Sequence, residues 1–338
     1  MMKSIVCREP GKLEFSNSKK PTPLAGEVLL KIRCIGVCGT DIHAYGGSQP
    51  FFSYPRVLGH ELAGEIIELG EGVDLPLGSA AFVIPYLECG QCVACNAGKP
   101  NCCTNIEVIG VHRDGGMCEY LAVPADHVVI SEGVSYEELA IVECLAIGAH
   151  SVSRANVSKS DTVMVLGAGP IGLGAAQFAQ VSGAKTFIAD VNPERLRFCE
   201  NEFNFDAQVD CKQDVQAQLS ILTGGDMPTV IIDATGNPKA MESTFGWLAH
   251  GGRIVFVSVV KADISFHDPE FHKRETTLMG SRNATKEDFE HVVDCMRTGK
   301  VKSANMVTHR TSFNDFTKTF PEWVKPESGV IKAIIEVG

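Results

Sequence analysis

Four cysteines, Cys89, Cys92, Cys95 and Cys103, follow the spacing C-x2-C-x2-C-x7-C in one short stretch. Zn2+ has no d-electron geometry to impose and takes four thiolates in a tetrahedron. One loop can offer four sulfurs to one ion only when they recur at such short intervals. Cys102 adjoins Cys103 and is an alternative fourth sulfur. The competing account is disulfides or inert buried thiols. A site filled by four protein ligands is structural. It would hold a lobe of about residues 86–105 together and leave no coordination position for a substrate.

A second set could do chemistry. Cys38 lies in V-C-G-T-D-I-H, and His60 and Glu61 lie in L-G-H-E. One thiolate, one imidazole and carboxylates make a zinc set with an open position. A third set binds rather than reacts. Gly167, Gly169 and Gly172 form G-x-G-x-x-G around Pro170 and Ile171, directly after the apolar run TVMVL. The first glycine permits a tight turn, the second lets backbone approach a pyrophosphate, and the third allows close helix-strand packing. The phosphates would sit at a helix N-terminus, where unpaired N–H groups favour an anion. Asp190 stands 23 residues after Gly167, at the end of the next apolar run. A carboxylate there suits the ribose hydroxyls of NAD and repels the 2′-phosphate of NADP. Arg195 nearby argues the other way, since an arginine can accept that phosphate. The plain alternative is a Gly-rich turn in a domain that binds no dinucleotide.

These residues need elements to position them. Residues 28–35 (VLLKIRCI), 61–69 (ELAGEIIEL) and 80–86 read as strands, punctuated by Gly and Pro. That texture predicts a β-rich lobe. The character changes near residue 150. Apolar runs at 162–166, 185–189, 229–232, 253–258 and 276–279 alternate with helical stretches such as 169–182. Fully apolar strands alternating with helices predict a parallel sheet covered on both faces. Lys273 and Arg274 read as an exposed charged pair at a strand start. A helix is expected at 286–296. A final strand at 329–337 (GVIKAIIEV) is expected to return to the first lobe. The fold class is therefore α/β plus β.

The bulk numbers narrow the function. At 338 residues the chain predicts about two domains. The net charge, 30 − 41 = −11, argues against a general nucleic-acid surface. No run reaches the roughly eighteen apolar residues that a membrane span needs. The opening MMKSIVCREP shows no secretory pattern. Thirteen cysteines, an odd number, point to a reducing compartment and so to the cytoplasm. No internal repeat suggests a solenoid or propeller.

Together the motifs resemble the zinc-dependent medium-chain dehydrogenase/reductase family. The residues that carry the resemblance are C-G-T-D-I-H at 38–43, G-H-E at 59–61, the four-cysteine lobe, D-G-G at 114–116 and G-A-G-P-I-G at 167–172. They span essentially the whole chain. Within the family the chain is most similar to the polyol and sugar-acid branch. The stretches at 46–61 (GGSQPFFSYPRVLGHE) and 271–285 (FHKRETTLMGSRNAT) look most like L-galactonate and L-gulonate 5-dehydrogenases.

The resemblance implies a GroES-like β-barrel domain at 1–148 and 285–338, with a Rossmann NAD-binding domain at 149–284. It implies two Zn2+ per chain, one structural and one catalytic, with NAD as cofactor. It places the catalytic ion on Cys38, His60 and Glu143, with Glu61 as an alternating or additional ligand. The family often has Glu-Pro where this chain has Glu143-Cys144. That departure leaves Cys144 open as a competing ligand. Thr40 is expected to take the substrate proton and His43 to pass it on. Val257 and Ser258 are expected to join the cofactor site. A hexonate needs a partner for its carboxylate, and arginine is the preferred planar one. Candidates are Arg56, Arg113 and Arg282 with Asn283, while Tyr45 and Gln49 would meet sugar hydroxyls. The expected partners are a small hydroxy acid or polyol, no nucleic acid and no membrane, in a homodimer or homotetramer. Other possibilities are a polyol, threonine or simple-alcohol dehydrogenase, or an inactive dinucleotide-binding regulator.

Overall fold

The computed structural model describes residues 1–49 and 52–338. Pro50 and Phe51, part of the 46–61 stretch, lie outside the described residues. The chain divides into two packed units. The first comprises Met1–Glu143, Thr285–Arg297 and Ser303–Gly338, and the second Cys144–Ala284 and Thr298–Lys302.

The first unit is built on Glu27–Val37, an eleven-residue strand whose apolar side chains are almost all buried. It pairs antiparallel with Glu61–Leu69 on one side and Lys332–Glu336 on the other. The sheet continues outward from Glu61–Leu69 to Ala80–Val83 and Val128–Ile130, and from Lys332–Glu336 to Val307–Ser312. Tyr120–Pro124 also pairs with the central strand. The chain's last strand thus closes the first unit. Ile5, Leu30, Ile32, Ile35, Ile66, Phe316, Phe320 and Ile335 form its core. Each such side chain contributes about 1.5–3 kcal/mol by leaving water.

The second unit is a six-stranded parallel sheet. Its order is Ala207–Asp210, Lys185–Asp190, Thr162–Leu166, Val230–Asp233, Arg253–Phe256 and Thr277–Gly280. That order reverses beside the first strand of the unit, and such a switch point opens a crevice at the strand C-termini. Val163, Met164, Val165, Ile188, Ile231 and Ile232 are fully buried, as a sheet covered on both faces requires.

Several local expectations change. The run at 80–86 breaks into Ala80–Val83 and Tyr86–Leu87, because Pro85 has no N–H for the ladder. The strands Ala207–Asp210 (AQVD) and Val307–Ser312 (VTHRTS) are too polar to stand out as apolar runs. Lys273 and Arg274 sit at the end of the helix Asp268–Lys273 rather than at a strand start. Arg274 is not exposed: its side chain is 17% accessible and donates to the Leu248 carbonyl. Residues 144–148 pack with the second unit rather than the first. A Cβ at Gly148 would stand 2.5 Å from the Ala175 nitrogen. Residues 298–302 also join this unit, with the Lys302 N–H donating to Gln177 Oε1 at 2.7 Å. Among the described residues no helix is long and apolar enough to cross a membrane.

Candidate metal and cofactor sites

The ligand atoms of Cys89, Cys92, Cys95 and Cys103 all lie within 4.8 Å of one another. Cys102 is exposed and outside the group. Cys92 caps the short helix Val93–Asn96 and accepts from the Cys95 N–H at 3.5 Å. The N–H groups of Cys89 and Asn105 both donate to the Cys103 sulfur at 3.3 Å. Backbone donors at Cys95 and Thr104 hold the Cys92 thiol down to about 5. Burial and the neighbouring sulfurs of Cys92 and Cys103 push Cys95 up to about 12. Four sulfurs this close cannot all be anionic without a cation among them. The donor set therefore fits zinc.

Strand register assembles the second group. Gly36 stands opposite Glu61, so Cys38, just past the end of Glu27–Val37, lies beside His60, just before Glu61–Leu69. The ligand atoms of Cys38, His60 and Glu61 lie within 4.8 Å of one another. His60 and Glu61 are 4% and 0% exposed. Among the described residues, His60 Nδ1 and Glu61 Oε2 are buried with no hydrogen-bond partner. Each orphan costs about 1–3 kcal/mol unless something else satisfies it. A cation bound by all three residues would do so, and the donor types fit zinc. Burial opposes charge on His60, yet Cys38, Glu143 and Asp41 around it raise its pKa well above the ordinary value. The pocket is strongly anionic.

Three further residues support this group and its surroundings, and the quoted motifs contained two of them, without a role. Asp41, 1% exposed, accepts from the Cys38 N–H at 3.0 Å and the Gly59 N–H at 3.2 Å. It thereby ties the two ligand segments together. Tyr86 donates its hydroxyl to Glu143 Oε1. Lys332 donates to Glu61 Oε1 at 2.6 Å. Asp41 was visible inside C-G-T-D-I-H, and Lys332 as a lone charge in an apolar run. Nothing around Tyr86 marked it. Glu143, expected as third ligand, is buried but outside the Cys38–His60–Glu61 group, as is Cys144.

Thr40 and His43 share one face of the helix Gly39–Tyr45, capped by Cys38. Thr40 is half-buried and His43 exposed. The His43 ring meets Ser48 Oγ through Nδ1 at 3.2 Å.

In the second unit, Gly167 has φ +103°, a conformation that disfavours any side chain. A Cβ at Gly172 would stand 1.8 Å from the Gly167 carbonyl oxygen. Gly169 caps the helix Pro170–Val181, with Pro170 in its first turn and Ile171 next. Asp190 Oδ2 accepts from the Ala168 N–H and Oδ1 from the Asn192 N–H, each at 2.7 Å. These bonds anchor the carboxylate at the turn. An Arg195 guanidinium nitrogen lies 3.6 Å from where a Cβ on Gly169 would be. Val257 and Ser258 follow the strand Arg253–Phe256, and Ser258 faces the turn at Gly236.

Two family models match, the alcohol dehydrogenase GroES-like domain over residues 24–132 and the zinc-binding dehydrogenase domain over 170–298. The chain is 46% identical to L-galactonate-5-dehydrogenase of Escherichia coli over 99% of its own length and 98% of the relative's. It belongs to the zinc-dependent medium-chain dehydrogenase family. The crystal structure of an alcohol dehydrogenase of Escherichia coli CFT073 with NADH superposes with a TM-score of 0.93, at 32% identity over 99% of each chain. A zinc-binding dehydrogenase of Sinorhizobium meliloti 1021, solved with NADP, gives 0.91 at 28% identity over 99% of each chain.

As a dehydrogenase of this family, the chain is an oxidoreductase with a GroES-like domain and a Rossmann-type domain. Its substrate-site candidates are less uniform than its ligands. Tyr45 packs edge-on to Phe320 at 5.1 Å and so joins the core. Gln49 lies next to Ser48, and its N–H donates to the His43 carbonyl at 3.2 Å. Arg56 binds Ser53 Oγ at 2.9 Å and stands 3.6 Å from Asp114. Arg113 faces Glu107 at 3.8 Å and is 47% exposed. Both cations already have local acids. Arg282 is exposed just past the strand Thr277–Gly280, and Asn283 follows at φ +53°.

Proposed function

We propose that this dehydrogenase oxidises a secondary hydroxyl of a sugar acid, an L-galactonate- or L-gulonate-like hexonate, with NAD as acceptor. The observation that carries the chemistry is the buried cluster of Cys38, His60 and Glu61 ligand atoms, in which His60 Nδ1 and Glu61 Oε2 have no hydrogen-bond partner among the described residues. The substrate class is supported by the 46% identity to L-galactonate-5-dehydrogenase. Cys38, His60 and Glu61 would hold the catalytic zinc, with Glu143 buried beside them on Tyr86. Cys89, Cys92, Cys95 and Cys103 would hold the structural zinc, making two per chain.

When bound, zinc supplies a Lewis acid that lowers the pKa of a hydroxyl, and NAD supplies the hydride acceptor. The chain's own residues do the rest. Thr40 relays the proton that leaves the substrate hydroxyl, its Oγ accepting that proton as it gives up its own. His43, exposed on the same helix face, carries it outward. Ser48 steadies the His43 ring from its Nδ1 side. Asp41 fixes the spacing of the Cys38 and His60 segments. Arg56, Arg113 and Arg282 with Asn283 are the candidate partners of the substrate carboxylate.

Asp190 underlies the preference for NAD over NADP. Asp190→Ala is expected to weaken NAD binding by about 10-fold, the effect of roughly one charge-assisted hydrogen-bond pair. It should also narrow discrimination against NADP, with Arg195 then able to meet the 2′-phosphate. KM values for the two cofactors check this, and unchanged values would remove Asp190 from the site.

The finer expectations belong here too. The thirteen thiols suit the cytoplasm. Among the described residues the edge strand Thr277–Gly280 pairs on one side only, which supports a homodimer or homotetramer through that edge. Turnover with NAD of L-galactonate, L-gulonate, sorbitol, L-threonine and ethanol tests the substrate. Hexonate oxidation is expected to dominate. Good turnover of another compound with none of a hexonate would reassign the enzyme to a polyol, threonine or alcohol dehydrogenase.

A further inference from the structure

Glu61 is fully buried at the first position of its strand, directly opposite Gly36 in the antiparallel ladder. A Cβ on Gly36 would stand 2.0 Å from Glu61 Oε2 and 2.9 Å from Glu61 Cβ. The carboxylate therefore occupies the notch that the missing side chain leaves. Lys332, on the neighbouring strand Lys332–Glu336, is 1% exposed. Its ammonium reaches Glu61 Oε1 at 2.6 Å and the Val37 carbonyl at 3.2 Å. The two oxygens of one carboxylate thus meet different surroundings. Oε1 is held by a cation of the chain, while Oε2 has no hydrogen-bond partner among the described residues, and one oxygen of this carboxylate lies within 4.8 Å of the ligand atoms of Cys38 and His60.

We propose that Gly36 and Lys332 form a cradle that fixes Glu61 as a divided carboxylate, one oxygen on the ammonium and the other turned to the ion held by Cys38 and His60. This rests on the zinc reading above. Gly36 supplies the room and Lys332 the orientation. Lys332 also shares the carboxylate's charge, so the metal receives only part of it. A buried ammonium close to a dication opposes it, because Coulomb terms are large where water is excluded. The cradle therefore limits how tightly the ion is held and preserves its electron-withdrawing power. Lys332 and Gly36 are positioning residues, acting through Glu61.

The two halves of the cradle predict opposite results, which general damage to the fold would not. In Lys332→Met, Glu61 has the metal as its sole cationic partner. Zinc at this site should bind at least about 10-fold tighter in competition with a chromogenic chelator, while kcat falls. In Gly36→Ala the new methyl group displaces the carboxylate. Zinc should bind at least about 10-fold weaker, and the visible bands of the Co2+-substituted protein should change as an oxygen ligand leaves. Glu61→Gln, equal in shape but uncharged, should follow Gly36→Ala in affinity. If Lys332→Met fails to fold, Lys332→Gln, which keeps a donor for the Val37 carbonyl, makes the same comparison. Unchanged or weaker zinc binding on loss of the lysine charge overturns the cradle, as does a Gly36→Ala protein with wild-type affinity and spectrum. A wild-type protein whose only zinc resides in the four-cysteine lobe would overturn the zinc reading itself.

Discussion

Cys38→Ser is expected to lower kcat/KM by about 10³-fold or more, equivalent to about 4 kcal/mol of transition-state stabilisation. Cys38 is the one soft donor in its group, with His60 and Glu61 as the others. A serine hydroxyl does not ionise near neutral pH and is a poor zinc ligand. Metal content should fall from about two zinc ions per chain to about one. Thermal stability should change little, because the surrounding strands keep their ladder and Asp41 still accepts from the backbone at this position. Zinc analysis and steady-state kinetics on the same preparation check it. Retention of both metals with near-normal turnover would show that the chemistry lies elsewhere. A wild-type chain with one zinc, in the four-cysteine lobe, and no turnover would favour a dinucleotide-binding regulator.

Cys92→Ser should do the reverse. The four-cysteine lobe has almost no apolar support of its own. The helix Val93–Asn96 buries none of its residues, and the flanking pair, Tyr86–Leu87 with Glu107–Val108, is two residues long on each strand. Segments this short do not hold themselves, so the metal must. Loss of one thiolate, and of the N-cap that Cys92 gives its helix, is expected to lower Tm by about 5 °C or more. Turnover per remaining catalytic zinc should change by less than about threefold. Calorimetry with metal analysis separates the effects, and an unchanged Tm would mean that the lobe stands without its ion.

Much of this was legible along the chain. The spacing of Cys89, Cys92, Cys95 and Cys103 constrains one loop, and local geometry alone can then bring four sulfurs together. TVMVL followed by G-A-G-P-I-G is a strand, a tight turn and a helix in immediate succession, so its elements fall where their residues indicate. The catalytic group was legible in its residue types but not in its membership. Cys38 and His60 are 22 positions apart, and Glu143 and Lys332 are farther still.

Sequence by itself determined the clustering of the four loop sulfurs and the strand, turn and helix of the glycine motif, because each depends on local propensity or short spacing. Tertiary structure alone decided that the ligand atom of Glu61 lies within 4.8 Å of those of Cys38 and His60, and that Lys332 meets Glu61 across the central strand. Those choices depend on strand register, where a shift of one residue would turn every side chain to the other face. Register is set by the packing of the whole sheet, so no short stretch of chain contains it.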